Sequence, residues 1–216
     1  MELRSEEEQV EAIKGWWKKN GSSLLIGIGA ALAIVFGWQA WQQHQADQRS
    51  QAGSQYQQLL SAVNQPANDE REKTITFVAQ ELQDEFSDSA YAVYGTLILA
   101  SHQFDEKGDP EAATESLTWA RDHTEEGPLK VMIEHRLAQA QFAAGDGDAA
   151  LDTLNGVASP GAFSALYAEL EGDILRSQGD LEGARKAYLA ASKASEGQAN
   201  PLLRLKMSDL AIGEDA

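Results

Sequence analysis

Residues 170–191 read LEGDILRSQGDLEGARKAYLAA, and the Gly179-Asp180 pair at their centre belongs to a repeat. The pair recurs 34 residues earlier as Gly145-Asp146, and an earlier copy, Gly108-Asp109, lies 37 residues before Gly145. A period of this size is typical of stacked helix pairs, because one pair cannot bury its apolar face alone. The 34-residue offset also relates Ala184 to Ala150 and Gly172 to Ala138.

Each copy fits the tetratricopeptide pattern, in which helix A carries a small and an apolar residue and helix B carries Ala-x3-aromatic-x2-Ala. Helices A and B cross closely at the small residues, and in the turn Gly ends one helix while Asp begins the next. The third copy supplies Gly172, Leu175, Ala184, Tyr188 and Ala191. The first supplies Leu97, Ser101, Phe104, Ala113, Leu117 and Ala120. The second supplies Leu137, Ala138, Ala150 and Leu154, with Gln141 where an apolar residue is expected and Val157 for the last Ala.

These patterns predict an all-α fold, in which one N-terminal transmembrane helix precedes a tetratricopeptide-repeat-like α-solenoid of about three repeats with capping helices. Few runs show β-branched alternation, and Phe77, Leu82 and Phe86 indicate a capping helix before the first repeat. Prolines 110, 128, 160 and 201 fall at predicted helix boundaries. We predict helices over residues 70–86, 90–105, 110–123, 130–144, 148–157, 162–178, 181–195 and 201–212.

An apolar segment precedes the repeats and predicts the membrane anchor. No charged residue occurs from Asn20 to Ala46. A helix from Trp17 to Trp38 would span roughly 31 Å, against about 30 Å of hydrocarbon core. The alternative is the buried helix of a soluble bundle. A membrane helix favours tryptophan at both ends, because the rings prefer the headgroup zones, whereas a buried helix needs no such pairs. The flanking tryptophans are Trp16, Trp17, Trp38 and Trp41.

The charges beside the segment predict its direction. Lys14, Lys18 and Lys19 precede it, whereas Arg49 is the only base within about 15 residues after it. The positive-inside rule therefore puts the N-terminus in the cytoplasm and the C-terminal domain outside it.

A cleavage site needs small residues three and one before the cut, and the candidates Trp38 with Ala40 and His44 with Ala46 each fail at one position. We therefore predict an uncleaved signal anchor.

Gly29, Ala33 and Gly37 recur every four residues within the anchor. Small residues stacked on one face let another membrane helix approach closely, which would make this stripe a packing face. Small residues are also common in membrane helices that do not pack in this way.

The segment after the anchor is rich in Gln and Ala and has no proline before Pro66, which predicts a helical stalk. Its apolar residues Tyr56, Leu59, Leu60 and Val63 recur at helical spacing, so we expect its last turns to pack on the domain. The predicted organisation is a cytoplasmic tail at 1–20, a transmembrane signal anchor at 21–41, a helical stalk at 42–65 and a tetratricopeptide-like domain at 66–216.

Composition argues against several function classes. Residues 1–20 hold five acids and four bases, which leaves 29 of the 34 acids and 13 of the 17 bases, a net charge of −16, for the rest of the chain. Such a field repels nucleic acid. The absence of cysteine excludes disulfides and thiolate sites. No phosphate loop, metal-ligand spacing or nucleophile motif occurs, so we predict a protein that is not an enzyme and has no cofactor or metal.

A partner-binding groove is predicted on the helix A faces, which line the inner surface of such stacks. Met132 and Phe142 would make apolar contacts, surrounded by polar groups. The alternative is that Phe142 belongs to the core and the charges only solvate the surface. The predicted groove comprises Ile98, His102 and Asp105 from the first repeat, Met132, His135, Gln139 and Phe142 from the second, and Glu169, Asp173 and Arg176 from the third.

The order of motifs along the whole chain resembles the YfgM family, the ancillary subunit of the bacterial SecYEG translocon. The motifs are residues 10–17, Gly37-Trp38 with Trp41, Arg136-Leu137-Ala138, Gly179-Asp180 with Gly183-Ala184-Arg185, and Leu205-Lys206-Met207 with Leu210-Ala211-Ile212. The resemblance implies a single-pass protein of the bacterial inner membrane with a periplasmic tetratricopeptide-like domain.

The resemblance also implies the partners. They are the SecYEG channel and a PpiD-like periplasmic chaperone, so that secreted or outer-membrane proteins leaving the channel meet chaperones. Unfolded secretory proteins would be bound either directly or only through that chaperone. The alternative function is a membrane-anchored regulator whose cytoplasmic tail restrains an envelope-stress response regulator. Deleting residues 2–12 would abolish that second function and leave chaperone binding intact.

Overall fold

The structure, a computed structural model, describes residues 6–195 and 201–210. Within these residues the chain forms helices and no strand. It divides into two compact units, one ending at Gln51 and one beginning at Ala52. The predicted all-α class is confirmed.

The N-terminal unit consists of the first part of α1, a helix that runs over Glu6–Val63. Part of this helix is long and apolar enough to cross a membrane. Its apolar side chains are largely exposed, Ile26 by 72% and Ile34 by 73%. This exposure suits contact with lipid and argues against the buried helix of a soluble bundle.

The C-terminal unit contains the end of α1 and eight further helices among the described residues. The helices are α2 (Asp69–Glu85), α3 (Ala90–Ser101), α4 (Pro110–Asp122), α5 (Pro128–Ala143), α6 (Gly147–Asn155), α7 (Ser164–Ser177), α8 (Leu181–Ala194) and α9 (Pro201–Asp209). The pairs α3 and α4, α5 and α6, and α7 and α8 form the three predicted repeats, with α2 before them and α9 after them. A π-helical turn, His102–Glu106, follows α3, and a 3-10 turn, Gly161–Phe163, precedes α7.

Gly-Asp pairs connect the two helices of each repeat, as predicted. The glycines take positive φ angles of 64° at Gly108, 90° at Gly145 and 84° at Gly179, which favour glycine because it has no Cβ. The following aspartates cap helix B with their side chains. Their Oδ1 atoms accept from Ala112 N at 3.0 Å, Ala149 N at 3.0 Å and Gly183 N at 2.9 Å.

Helices A and B of a repeat pack closely where a small residue on helix A lies opposite a large one on helix B. A Cβ added at Gly172 would lie 2.5 Å from the Tyr188 ring, so the third repeat requires glycine there. In the second repeat the corresponding pair is Ala138 and Leu154, which share one core cluster. The smaller residue of helix A therefore faces the larger one of helix B, as close packing demands.

The last turns of α1 pack on α2 and α3, as the stalk pattern predicts. Ala52 and Leu59 are fully buried and Ala62 nearly so, while Tyr56 and Val63 pack against the same cluster. The C-terminal compact unit, which begins at Ala52, thus includes residues of the predicted stalk. The predicted boundaries of the tail, anchor, stalk and domain stay predictions.

Most predicted helix ends lie within two residues of the observed ones, but two of the helices change type at one end. The helix predicted over 90–105 ends at Ser101 and continues as the π-helical turn, and the one predicted over 162–178 begins with the 3-10 turn. The end predicted for the last helix, residue 212, lies outside the described residues, which stop at 210.

Candidate partner-binding groove

The π-helical turn changes the register of the first repeat. Lys107 N donates to His102 O, five residues back, whereas Ala144 N in the second repeat donates to Ala140 O, four residues back. The change is also visible in two matching hydrogen bonds between helices A and B. Ser116 Oγ donates to Gln103 Oε1 at 2.7 Å, and Thr153 Oγ1 donates to Gln141 Oε1 at 2.7 Å.

These bonds correct the predicted alignment. Ser116 and Thr153 are 37 residues apart, but Gln103 and Gln141 are 38 apart, so the first repeat holds one extra residue before its turn. The residue equivalent to Ala138 is therefore Ala100, which is 2% exposed, and not the predicted Ser101. An extra residue in helix A is invisible when repeats are aligned by their glycines alone.

The first-repeat groove residues accordingly lie at different depths. Ile98 is half-buried against the core. His102 is buried at 7% exposure, with its Nδ1 3.3 Å from Glu106 Oε2. Asp105 is exposed and accepts a hydrogen bond from Ser101 Oγ at 2.8 Å. Of the three, Asp105 alone is open to a partner.

Glu106 connects this repeat to α2. Arg71 holds its carboxylate with two hydrogen bonds, of 2.6 Å from Nη1 and 2.9 Å from Nη2. This paired guanidinium lowers the pKa of Glu106 to about 2. Lys107 pairs in addition with Glu72 of α2. The π-helical turn thus fixes the first repeat to its capping helix.

In the second repeat the predicted groove residues again divide by depth. His135 is 9% exposed, and its ring centroid lies 5.5 Å from that of Tyr167, whose hydroxyl donates to Val131 O at 2.8 Å. Burial lowers the pKa of His135. Phe142 is half-buried against the core, which favours the core alternative, and Met132 is half-buried. Gln139 is exposed.

The third-repeat residues face helix α9. Lys206 Nζ donates to Glu169 Oε1 at 2.8 Å and to Asp173 Oδ2 at 2.7 Å. Arg176 Nη2 lies 3.3 Å from Asp209 Oδ2. Because these charges are already paired with α9, they do not form an open surface in this structure.

One cavity joins two of the predicted groove residues. It has a volume of about 280 Å³ and lies between α3, α4 and α5. Sequence reasoning missed Arg136 as a site residue, although it lies three residues before Gln139 and hence on the same helical face. The cavity is lined by Ala100, Ser101, Phe104, Asp105, Leu117, Arg136 and Gln139.

This cavity has a bipolar rim over an apolar floor. Arg136 is exposed and has no ion-pair partner within residues 6–195 and 201–210, whereas Asp105 lies on the other wall. Phe104 and Leu117 supply apolar surface. Drug-sized ligands fill cavities of about 300–1,000 Å³, so the smaller volume suits a side chain or two of a peptide.

The small-residue stripe of the anchor faces open space. A Cβ added at Gly29 or Gly37 would have no neighbour within 4 Å, and Ala33 is exposed. The packing role of the stripe stays a prediction. As to metals, no three His, Asp or Glu side chains are grouped to hold an ion in the part of the chain that the structure describes.

Comparison with known proteins agrees with this architecture. The family model described as a tetratricopeptide repeat-like domain matches residues 14–212. The chain is 32% identical to the ancillary SecYEG translocon subunit of Haemophilus influenzae, over 95% of this chain and 97% of that protein. It is 32% identical to the protein of the same description from Escherichia coli strain K12, over 96% and 98%. A relative from Aggregatibacter actinomycetemcomitans, also described as an ancillary SecYEG translocon subunit, is 29% identical over 95% and 97%.

No solved structure matches the chain significantly. The similarity nevertheless extends through the apolar helix and all three repeats, because it covers nearly the full length of both chains. The chain therefore belongs to the family of ancillary SecYEG translocon subunits and carries a tetratricopeptide repeat-like domain.

Proposed function

We propose that this protein is a non-catalytic accessory subunit of the Sec translocon. Its N-terminal helix holds it in the bacterial inner membrane with the N-terminus in the cytoplasm and the repeats in the periplasm. There it contacts SecYEG and a PpiD-like chaperone and assists the trafficking of secreted or outer-membrane proteins.

Full-length similarity carries this proposal. The relatives named as SecYEG subunits match the apolar helix and the repeats in one continuous alignment, so both parts of the chain are shared. Exposed apolar side chains on α1 suit a membrane, and the lysines before the apolar run favour the proposed direction.

The cavity between α3 and α5 is the part of the predicted groove that best suits a partner. Arg136 and Gln139 offer hydrogen-bond donors beside Phe104, and all three line the cavity. A partner strand with a carboxylate or backbone carbonyl beside an apolar side chain would satisfy these groups. We place the chaperone contact here.

Photocrosslinking in living cells tests the proposal. A photoreactive residue at Gln139 should crosslink to a periplasmic chaperone, and one at Ala33 should crosslink to a channel subunit. A photoreactive residue at Lys193, which is exposed on α8, is the matched control and should give neither product. Mild-detergent purification of the tagged chain should recover both partners.

The substitution Arg136→Glu separates the two contacts. It should weaken recovery of the chaperone about tenfold and leave the channel subunits unchanged, because the anchor is intact. Repeated recovery of neither partner with the wild-type chain would exclude the proposed function. Equal recovery of the chaperone by wild type and Arg136→Glu would exclude the cavity as the contact.

A further inference from the structure

A second groove lies outside the predicted one, along the loops that lead into α3, α5 and α7. It consists of two neighbouring cavities of about 670 and 740 Å³. They share Glu126, Gly127 and Pro128, so they adjoin along the start of α5. We call the pair the trough. None of the predicted groove residues lines it.

The trough combines an apolar lining with acidic groups. Its apolar lining includes Tyr94, 41% exposed, and the ring of Phe163, which is half-buried. One lysine, Lys130, is present among the lining residues, and it already pairs with Glu126 at 2.7 Å. The acids that line the trough are Asp88, Asp122, Glu125, Glu126 and Glu134.

Glu134 is less exposed to solvent than an acid of an ordinary surface patch. Its side chain is half-buried in the lining of the larger cavity, and burial raises the pKa of its carboxyl although Arg121 and Lys130 oppose this. Those two bases are paired with Asp122 and Glu126 respectively. A cation entering the trough would therefore stabilise the ionised form of Glu134.

Backbone groups also face the trough. Helix α5 begins after Gly127 and α7 after Phe163, and neither residue caps its helix with a side-chain hydrogen bond. By contrast, Ser89 caps α3 by accepting from Tyr91 N at 3.2 Å.

In α7 the Ser164 amide already donates to Gly161 O. In α5, Pro128 has no N–H and the first intrahelical donor is Val131. The amides of Leu129 and Lys130 can therefore donate to carbonyl oxygens of a bound chain. Amide donors need an acceptor such as a carbonyl oxygen, which a polypeptide supplies and a free cation does not.

We propose that the trough binds an extended polypeptide segment in which basic side chains alternate with apolar ones. The two adjoining cavities exceed what one small ligand fills, the lining acids outnumber its single base, and the apolar walls accept aliphatic side chains. This inference does not depend on SecYEG binding, since it concerns a different surface of the repeats.

Fluorescence anisotropy with synthetic peptides tests the trough. The full chain is placed in nanodiscs of zwitterionic lipid, and binding to empty discs is subtracted. The probes are labelled peptides of alternating Lys and Leu, of alternating Glu and Leu, and of alternating Lys and Ser. We expect the Lys-Leu peptide to bind at least about tenfold more tightly than either of the others.

Charge reversal on the rim supplies the matched comparison. The double variant Asp88→Lys/Glu125→Lys should weaken binding of the Lys-Leu peptide at least about tenfold. Asp84→Lys/Glu115→Lys makes the same change in net charge at exposed positions outside the trough and should leave binding within about twofold. Circular dichroism establishes that both variants are folded.

Three results would overturn the proposal. Equal losses in the two double variants would indicate non-specific attraction to an acidic protein. Equal affinity for the Glu-Leu peptide would show that the rim charges do not select the ligand. A dimer in sedimentation that Asp88→Lys/Glu125→Lys dissociates would identify a second copy of the chain as the occupant.

Discussion

The first and third repeats share a Gly-Asp turn but differ in how helix A reaches it. In the third repeat Asp180 N donates to Leu175 O at 2.9 Å, the six-residue closure that commonly ends a helix at glycine. In the first repeat Asp109 N donates to Gln103 O at 2.9 Å, one residue further back. The added residue lies in the π-helical turn, and the Gly-Asp turn that follows it is preserved.

One repeat can therefore gain a local feature while the helices of the stack keep their packing. The regular third repeat uses its helix A charges to hold α9. The irregular first repeat places Phe104 and Asp105 in the cavity with Arg136 and directs Glu106 to α2. Such π-helical turns are often found at functional sites.

Deleting one residue from helix A should give the largest contrast. Removal of Ala143 from the regular α5 rotates the residues after the deletion by about 100°, which breaks the Gly145 turn. We expect a loss of about 4 kcal/mol or more in the free energy of unfolding. Removal of Asp105 should cost only about 1 kcal/mol, since the π-helical turn can become an ordinary α-helical turn. Urea unfolding followed by circular dichroism measures both, and equal losses would contradict the inserted-residue interpretation.

Lys206→Ala tests how α9 is held. It leaves Glu169 and Asp173 without their shared cation at partly buried positions, and we expect a loss of about 2 kcal/mol. Lys186→Ala, on an exposed face of α8, is the control and should stay within about 0.5 kcal/mol. Urea unfolding measures both variants, and a neutral Lys206→Ala would show that apolar contacts of Leu203 suffice.

A double-mutant cycle tests the size complementarity of helices A and B. Gly172→Ala should destabilise the third repeat by about 2 kcal/mol, because the new Cβ meets the Tyr188 ring. In a Tyr188→Leu background the same change should cost less than about 0.5 kcal/mol, since Ala138 already packs beside Leu154 in the second repeat. Additive losses would mean that the two residues do not limit each other.

The ion pair of the first repeat predicts the smallest effect, a pH dependence. Because the folded-state pKa of Glu106 is depressed to about 2, its stabilisation is complete above the ordinary pKa of the carboxyl. It is lost as the pH falls from about 5 towards 2. The stability difference between wild type and Glu106→Gln should therefore shrink over that range. Thermal melts at several pH values measure this difference, and a difference that stays constant over the range would contradict the role given to the ion pair.

Local signals made most of the fold predictable. The predicted helix over 70–86 is observed at Asp69–Glu85 because Asn68 accepts from Arg71 N at 2.8 Å and so begins it. Proline at the first position and glycine in the turn define other ends in the same way. Such caps act over a few residues, so a sequence displays them directly.

The groove was less predictable because it depends on distant contacts. No local signal reveals that Lys206 covers Glu169 and Asp173 from a helix 33 or more residues away. Likewise His102 reaches a buried position only because the extra residue precedes Gly108. The trough was missed since its lining comes from loops, which the repeat pattern does not describe.

The Gly-Asp turns have a consequence for how such a chain can diversify. Each turn carries its own stop and start for the helices beside it, so a residue inserted into helix A can be absorbed as a π-helical turn, as in the first repeat, before the next helix begins. A codon gained in helix A of one repeat would leave the remaining repeats in frame with one another. Lineages of this family can thus reshape a single binding position by insertion, without rebuilding the stack.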